Sequence, residues 1–296
     1  MSASRHAPGH GGEGLTLAIV LSYAFRLAWA WLLSLPIVNA VSASGLLDFP
    51  NGDSELFASG GLYLLETLQR QQSALAAAVF PTALLLLLAS FASSVPQFYV
   101  LSALGSRPPG EDLSSQGARA IPRLALLGAA TWVVRAILAL STLSLALTVR
   151  SYFTSALDER LPDLVFVGVV LGGGALQLGL SLLHDLIGTA LVAAHVGLGR
   201  ASGLALRTLQ RCGLSLLGRY AIAGLASLTL LAACAVAVSA LDVARTGTWR
   251  TWLSFGAHQL AVVASLLLRV WWLARARRAL SALTQSAREA HAEAFL

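Results

Sequence analysis

Six stretches of the chain are apolar for about twenty residues each, and together they occupy close to half of its 296 residues. A soluble protein cannot bury so much continuous apolar sequence, whereas a helix needs about 20 apolar residues to cross the hydrocarbon core of a bilayer. The chain is 56% hydrophobic and only 11% charged. We therefore expect an all-α integral membrane protein, a polytopic transmembrane helical bundle. The six predicted spans are residues 27–47, 74–96, 131–150, 164–187, 218–241 and 253–273.

The two ends of the chain are predicted to lie outside this bundle. Residues 1–14 are polar and rich in glycine, which is typical of a disordered tail. Residues 15–280 are predicted to form a single transmembrane domain, and residues 281–296 a C-terminal tail. Both tails are expected on the cytoplasmic side.

A weak internal repeat suggests how the spans are paired. The first, third and fifth spans begin alike, with Arg26, Arg135 or Arg219 followed by a mostly apolar run. Three copies would give three helical hairpins, although arginine is also simply favoured at the inner end of a span. If these arginines lie several turns inside the hydrocarbon instead, each is costly and points to a function.

The distribution of arginine gives the expected orientation. The chain has twenty arginines and no lysine, and most of them lie near the termini and in loops 97–130 and 188–217. The other loops hold most of the acidic residues, so the positive-inside rule places both termini in the cytoplasm, which an even number of spans permits. The composition, rich in alanine, leucine, glycine and arginine, is typical of a GC-rich bacterial genome. These features predict a multi-pass protein of the bacterial inner (cytoplasmic) membrane.

Two connecting segments have the pattern of amphipathic helices lying on the membrane surface. In residues 62–72, leucines share one face and an acidic and a basic residue four positions apart share the other. In residues 197–217, three arginines fall on one face and four leucines lie largely opposite. These are Arg200, Arg207 and Arg211, and Leu198, Leu206, Leu209 and Leu216. Either segment could also be a solvated loop; as interfacial helices, the arginines would contact anionic lipids.

One carboxylate stands out as a candidate for chemistry. Asp185 is the only acidic residue inside a predicted span, and an ionised carboxylate there needs a partner. Several arginines are expected at the same depth. The candidate polar cluster comprises Arg26, Arg135, His184, Asp185, Arg219 and Arg269. It could be a structural clamp between helices, a solvated interfacial group, or a relay that binds a proton or an anion.

Small residues in the fourth span predict close helix packing. Gly168, Gly172, Ala175 and Gly179 are spaced by four, three and four, which places them along one helix face. The alternative is that the glycine triplet at 172–174 breaks the helix, as transporters do at their binding sites.

No signature of catalysis, metal or cofactor binding accompanies these features. An HExxH run, a GxSxG elbow and paired intramembrane aspartates are missing from the sequence, and lysine chemistry is impossible. Cys212 and Cys234 are about 33 Å apart on a continuous helix, too far for a disulfide. His184 and His195 would be separated by about 16 Å, too far to chelate one metal. We therefore predict no catalytic residue, metal or cofactor, and no nucleic-acid partner.

The end of the fourth span resembles a pattern found in a family of uncharacterised six-span bacterial inner-membrane proteins. The resemblance consists of Asp185, residues 189–192 and the Ala-Leu-Arg run at 205–207. It covers the middle third of the chain, and Gly188 stands where that pattern has arginine. The resemblance implies the topology and no activity.

Three functions are compatible with the sequence. The first is a non-enzymatic scaffold or assembly subunit of a membrane complex, with a membrane-protein partner and anionic lipids as its contacts. The second is a transporter or permease component with a polar pathway near Asp185. The third is an intramembrane lipid-modifying enzyme that uses His184 and Asp185 as acid and base.

Overall fold

The computed structural model describes residues 10–42, 72–105, 112–153, 160–240 and 249–293, and the regular elements in these ranges are all α-helices. They are α1 (His10–Ser42), α2 (Gln72–Ala92), α3 (Ser94–Ala103), α4 (Leu113–Tyr152), α5 (Leu161–Ala193), α6 (Leu198–Ala240) and α7 (Trp249–Glu293). Six segments within these ranges are long and apolar enough to cross a membrane. The prediction of an all-α protein with six spans is confirmed.

The surface of these helices is apolar, as lipid contact requires. Phe80 on α2 is 76% exposed and Leu260 on α7 is 73% exposed, and large apolar side chains are exposed on all of the long helices. Soluble monomers rarely expose contiguous apolar surface of this extent. The chain is therefore a multi-pass membrane protein whose exposed apolar side chains contact lipid.

The first span begins earlier than predicted. Its apolar segment is Glu13–Pro36 and not 27–47, because the apolar run continues through Arg26 instead of starting after it. Arg26 therefore lies well inside the span. Residues 10–14, predicted as part of a disordered tail, form the start of α1, and residues 1–9 lie outside the described residues.

The long helices extend well past the apolar segments from which they were predicted. The helices α4, α6 and α7 contain 40, 43 and 45 residues, or about 60 to 68 Å of helix, twice the thickness of the hydrocarbon core. The predicted loops 97–130 and 188–217 are consequently mostly helical, and the predicted tail from residue 281 continues α7 to Glu293. The predicted surface helix at 62–72 lies outside the described residues, except for Gln72 at the start of α2.

Packing divides the predicted transmembrane domain, residues 15–280, into two compact units. The first unit contains the described residues of 1–92 and 223–270, and the second those of 93–222 and 271–296. The helices α6 and α7 contribute one part to each unit. In the first unit, α1 packs against α2, and the Tyr23 hydroxyl on α1 donates a hydrogen bond to Gln259 Oε1 on α7 at 2.7 Å.

The second unit is built on a long antiparallel pair, α4 and α5. At one end of the pair, Arg150 and Asp163 form a salt bridge of 3.1 Å between exposed side chains, and the Arg150 guanidinium lies 5.9 Å from the centre of the Phe166 ring. An exposed pair of this kind stabilises a fold by about 1 kcal/mol at most. The α1–α2 and α4–α5 pairs are the first two of the three predicted hairpins.

The close approach of α4 and α5 occurs at a different glycine from those predicted. Gly168, Gly172, Ala175 and Gly179 are exposed, and a Cβ built at any of the three glycines meets no atom within 4 Å. A Cβ built on Gly173 would lie 2.2 Å from Thr142 Cγ2. The predicted stripe is therefore not the face that α5 presents to α4, because that face is rotated by one residue. The helix α5 also runs unbroken through residues 172–174.

Gly173→Ala is expected to destabilise the second unit, whereas Gly172→Ala is not. The added methyl group of the first variant overlaps the Thr142 side chain, and overpacking of this kind costs about 1–3 kcal/mol. The methyl group of Gly172→Ala enters open space, so the two variants differ only in the contact with Thr142. Thermal unfolding of both variants in detergent measures the difference. Equal melting temperatures would contradict the packing, and Thr142→Ala should restore part of the loss.

Candidate functional site

The C-terminal end of α5 forms the core of the second unit. All eight residues from 185 to 192 are buried, whereas a surface helix buries only one face. At Gly188, a built Cβ would lie 3.0 Å from Gln97 Nε2 of α3 and 3.5 Å from Leu124 Cδ2 of α4. Only glycine lets both neighbours approach so closely. This end of α5 is therefore enclosed by other helices.

Asp185 lies within this enclosed segment and is only 5% exposed. Its Oδ2 atom accepts a hydrogen bond of 3.2 Å from the indole Nε1–H of Trp272 on α7. Trp272 is itself 1% exposed, and Tyr220 of α6 packs edge-on against its ring with the centroids 5.0 Å apart. One tryptophan thus joins the carboxylate of α5 to both α6 and α7.

The two adjacent tryptophans of α7 have different environments. Trp271 is 40% exposed, and the Arg275 guanidinium lies 5.5 Å from the centre of its ring, a cation–π distance. The difference arises because Trp272 shares a helix face with the buried Ala276 and Leu280, at intervals of four residues.

Polar side chains also link α4 to α5 along their length. Thr131 Oγ1 lies 2.9 Å from His184 Nδ1, and one turn further along α4 the Arg135 Nη2 group donates to the Ser181 hydroxyl. Gln177 Nε2 donates to the Arg135 backbone carbonyl at 2.9 Å. Interhelical hydrogen bonds of this kind stabilise membrane helix pairs by about 0.6–2 kcal/mol each.

The contacts of Thr131 indicate which tautomer His184 adopts. The Thr131 hydroxyl donates to the Leu127 carbonyl at 2.7 Å, and a hydroxyl has only one proton to donate. Its oxygen then accepts a hydrogen bond from Nδ1–H of His184. His184 therefore acts here as a donor between helices.

The six residues predicted as a polar cluster are divided between the two units. Arg26 and Arg269 belong to the first unit. Arg219 belongs to the second unit and is exposed. Three residues lie in the interfaces of the second unit described above, namely Arg135, His184 and Asp185.

A further arginine contact was not predicted from the sequence. Arg277 Nη1 donates to the Leu101 carbonyl at 2.7 Å, in the last turn of α3. A cation at this position complements the negative end of the helix dipole. Gly105 makes the contact possible, because a Cβ there would lie 1.5 Å from Arg277 Nη2. No local sequence pattern marks this pair, since the two residues are more than 170 positions apart.

Neither metal-binding nor cysteine chemistry is apparent in the described part of the chain. Those ranges contain no group of three or more His, Cys, Asp and Glu residues that could hold a metal ion. Cys212 is exposed and Cys234 is buried, and both are free thiols. His195 lies beyond the end of α5 in a left-handed conformation, with φ 52°, so it does not share a helix with His184.

Comparison of the chain with models of protein families, with curated protein sequences and with solved structures finds no match. The resemblance to six-span bacterial inner-membrane proteins therefore stays a prediction. What the chain does is inferred from its own residues and contacts.

The Asp185–Trp272 hydrogen bond can be measured with a double-mutant cycle. Trp272→Phe keeps an aromatic ring beside Tyr220 but removes the indole donor, and Asp185→Asn removes the charge of the acceptor. We expect a coupling of about 1–2 kcal/mol in the free energy of unfolding, since the bond is buried and its acceptor is ionisable. Trp271→Phe is the matched control at the exposed neighbouring ring and should show no coupling. A coupling energy near zero between Trp272 and Asp185 would show that this hydrogen bond does not stabilise the second unit.

Proposed function

We propose that the chain is a non-enzymatic subunit of the bacterial inner membrane that scaffolds or helps to assemble a membrane complex. The observation that carries this proposal is the use of its buried polar groups. Asp185, His184 and Arg135 are each engaged by a side chain of a neighbouring helix. Groups held in this way fix the relative positions of helices, which is what a rigid membrane subunit needs.

The helix ends of the second unit supply surface for a partner. Arg119 and Arg123 on α4 and Arg278 on α7 are exposed, as are the arginines at the start of α6. The extended helices provide more surface than a simple crossing requires. A partner with acidic groups, or an anionic lipid, would complement this end.

The proposal includes an orientation, with the arginine-rich start of α4, start of α6 and end of α7 in the cytoplasm. The distribution of arginine supports it through the positive-inside rule. The native Cys212, exposed on α6, provides a test without an engineered label.

A membrane-impermeant maleimide should label Cys212 in inverted membrane vesicles and not in intact spheroplasts. The reagent reaches an exposed thiol only from the aqueous side on which it is added. Cys212→Ser leaves only the buried Cys234 and should remain unlabelled in both preparations. Labelling of the wild type in intact spheroplasts would reverse the proposed orientation.

A transporter or permease component is the second candidate, and one observation favours it. Arg135 lies deep in α4, and its Nε atom is buried without a hydrogen-bond partner in the described part of the chain, as are Gln97 Nε2 and Ser102 Oγ. Unsatisfied donors in a membrane interior are typical of a ligand pathway. However, α5 is continuous through residues 172–174, so the helix break expected of such a pathway is not present there.

A lipid-modifying enzyme receives less support from the geometry. Its acid and base would be His184 and Asp185, and Asp185 is almost completely buried among helices. His184 Nδ1 is engaged with Thr131. A lipid headgroup would have to displace these contacts before it reached either residue.

Co-purification from native membranes in a mild detergent tests the scaffold proposal. The tagged chain should retain at least one other membrane protein in a fixed ratio after washing. Asp185→Asn should lower the amount of folded chain and of partner together, because it weakens a core contact. Asp163→Asn, which alters only an exposed salt bridge, is the matched control. Recovery of the folded chain alone would contradict the proposal, and loss of a measurable flux at normal abundance in Asp185→Asn would favour the transporter.

A further inference from the structure

The first part of α6 differs from the rest of the helix. Cys212 has φ −125° and ψ 16°, which are not helical values, so a kink separates residues 198–211 from the span that follows. Gly213 comes directly after it and lowers the cost of the bend. The whole helix is about 65 Å long, so about half of it exceeds what a crossing needs. The kink therefore gives residues 198–211 a direction different from that of the span that follows.

One face of this first part is packed against the protein. Ala201, Ala205 and Thr208 are completely buried, and they are spaced by four and three residues along a single face. Such small side chains allow the helix to lie close against its neighbours. The segment predicted as an interfacial helix is thus a helix, but the buried face of residues 198–211 consists of these small residues. Of the four predicted leucines only Leu216, beyond the kink, is fully buried.

The remaining surface of the segment combines arginine with leucine. Arg200, Arg207 and Arg211 are exposed, and Leu206 is 51% exposed. Leu214, just after the kink, is 90% exposed. At 100° per residue, the three arginines fall within about 40° of one another, and Leu206 falls about 100° from Arg207. Exposed leucine and exposed arginine therefore lie side by side.

The charge of this surface is not neutralised locally. No acidic residue occurs in the sequence between Asp185 and Asp242, and among the described residues no acidic side chain pairs with Arg200, Arg207 or Arg211. A cationic surface of this kind needs an anionic partner. The adjacent leucines require that the same partner also offers an apolar phase.

We infer that the first part of α6 is a binding surface for anionic phospholipids. Arg200, Arg207 and Arg211 contact the lipid phosphates, while Leu206 and Leu214 enter the boundary of the hydrocarbon. A phospholipid bilayer offers phosphate groups next to acyl chains, just as the helix surface has arginine next to leucine. A nucleic acid or an acidic peptide offers the charge without the apolar phase. This inference goes beyond the scaffold proposal and requires only that the chain resides in a membrane.

The test uses the full-length protein purified in detergent and measures its thermal unfolding as phosphatidylglycerol is added. The wild type should gain stability with phosphatidylglycerol and much less with phosphatidylcholine. The variant Arg200→Gln/Arg207→Gln/Arg211→Gln should bind phosphatidylglycerol about 100-fold more weakly, because each arginine near an anionic surface contributes about fivefold. Its matched control, Arg150→Gln/Arg160→Gln/Arg250→Gln, removes the same charge from other helix ends and should change the affinity less than twofold.

Three further measurements distinguish the possible causes of stabilisation by phosphatidylglycerol. Single substitution Arg207→Gln should weaken binding about fivefold, which keeps the test valid if the triple variant is not recovered in folded form. Leu214→Gln should weaken binding of phosphatidylglycerol while leaving the charge unchanged. Inorganic phosphate and a single-stranded oligonucleotide, added at matched phosphate concentration, should not stabilise the protein.

Several outcomes would overturn the inference. Equal stabilisation by phosphatidylcholine, an equal loss in the control triple variant, or stabilisation by the oligonucleotide or by inorganic phosphate would each do so. These results are independent of co-purification: a chain with a stable partner and no lipid preference would refute only the lipid surface. A chain that prefers phosphatidylglycerol but is recovered without a partner would refute only the scaffold.

Discussion

A carboxylate removed from water must find hydrogen-bond donors, and the second unit is organised around the donor that Asp185 finds. The indole of Trp272 reaches it at 3.2 Å from another helix, and Tyr220 supports the indole from a third. Three residues from Asp185, Gly188 brings α3 and α4 against the same helix. The burial of one carboxyl group and the absence of one side chain thus fix where five helices meet. Removing a partner from such a buried group costs more than the bond itself contributes, because the group stays buried.

The bilayer sets a minimum length for each membrane-spanning helix, and α4, α6 and α7 exceed that minimum. Backbone hydrogen bonding inside a helix is satisfied wherever the helix goes, so a span can continue into water without rearrangement. The second unit contains all of α4 and α5, together with the first part of α6 and the last part of α7. Its polar contacts, from Arg135 through His184 to Arg277, lie on these helices. In α4 and α5, packing contacts therefore lie within the same segments that are apolar enough to cross a membrane.

The sequence was sufficient for the fold class and for the number of spans, because hydropathy records contact with lipid directly. It was insufficient for helix ends, since a polar helix such as the start of α4 has no hydropathy signal. The same limit applies to side-chain partners. Asp185 could be recognised as a buried carboxylate in need of a partner, but its bond to Trp272 joins residues 87 positions apart. The predicted packing face of α5 contained Gly172, whereas the observed face contains Gly173. A stripe of small residues in the sequence does not identify the helix that packs against it.

The exclusive use of arginine as the basic residue has a structural consequence here, whatever its origin in genome composition. Arg123, Arg135 and Arg277 each donate from a terminal guanidinium nitrogen to an oxygen on another segment of the chain: the Val196 carbonyl, the Ser181 hydroxyl and the Leu101 carbonyl. A planar guanidinium offers five donors and is less strongly hydrated than an ammonium group, so it makes such bonds at a smaller desolvation cost. The planar guanidinium can also form two parallel hydrogen bonds to a phosphate group, which suits the lipid phosphate proposed for the exposed side of α6. One residue type can therefore hold segments together within the second unit, from exposed positions such as Arg123 as well as from part-buried ones such as Arg135, and it also suits the anionic lipid proposed for the surface of α6.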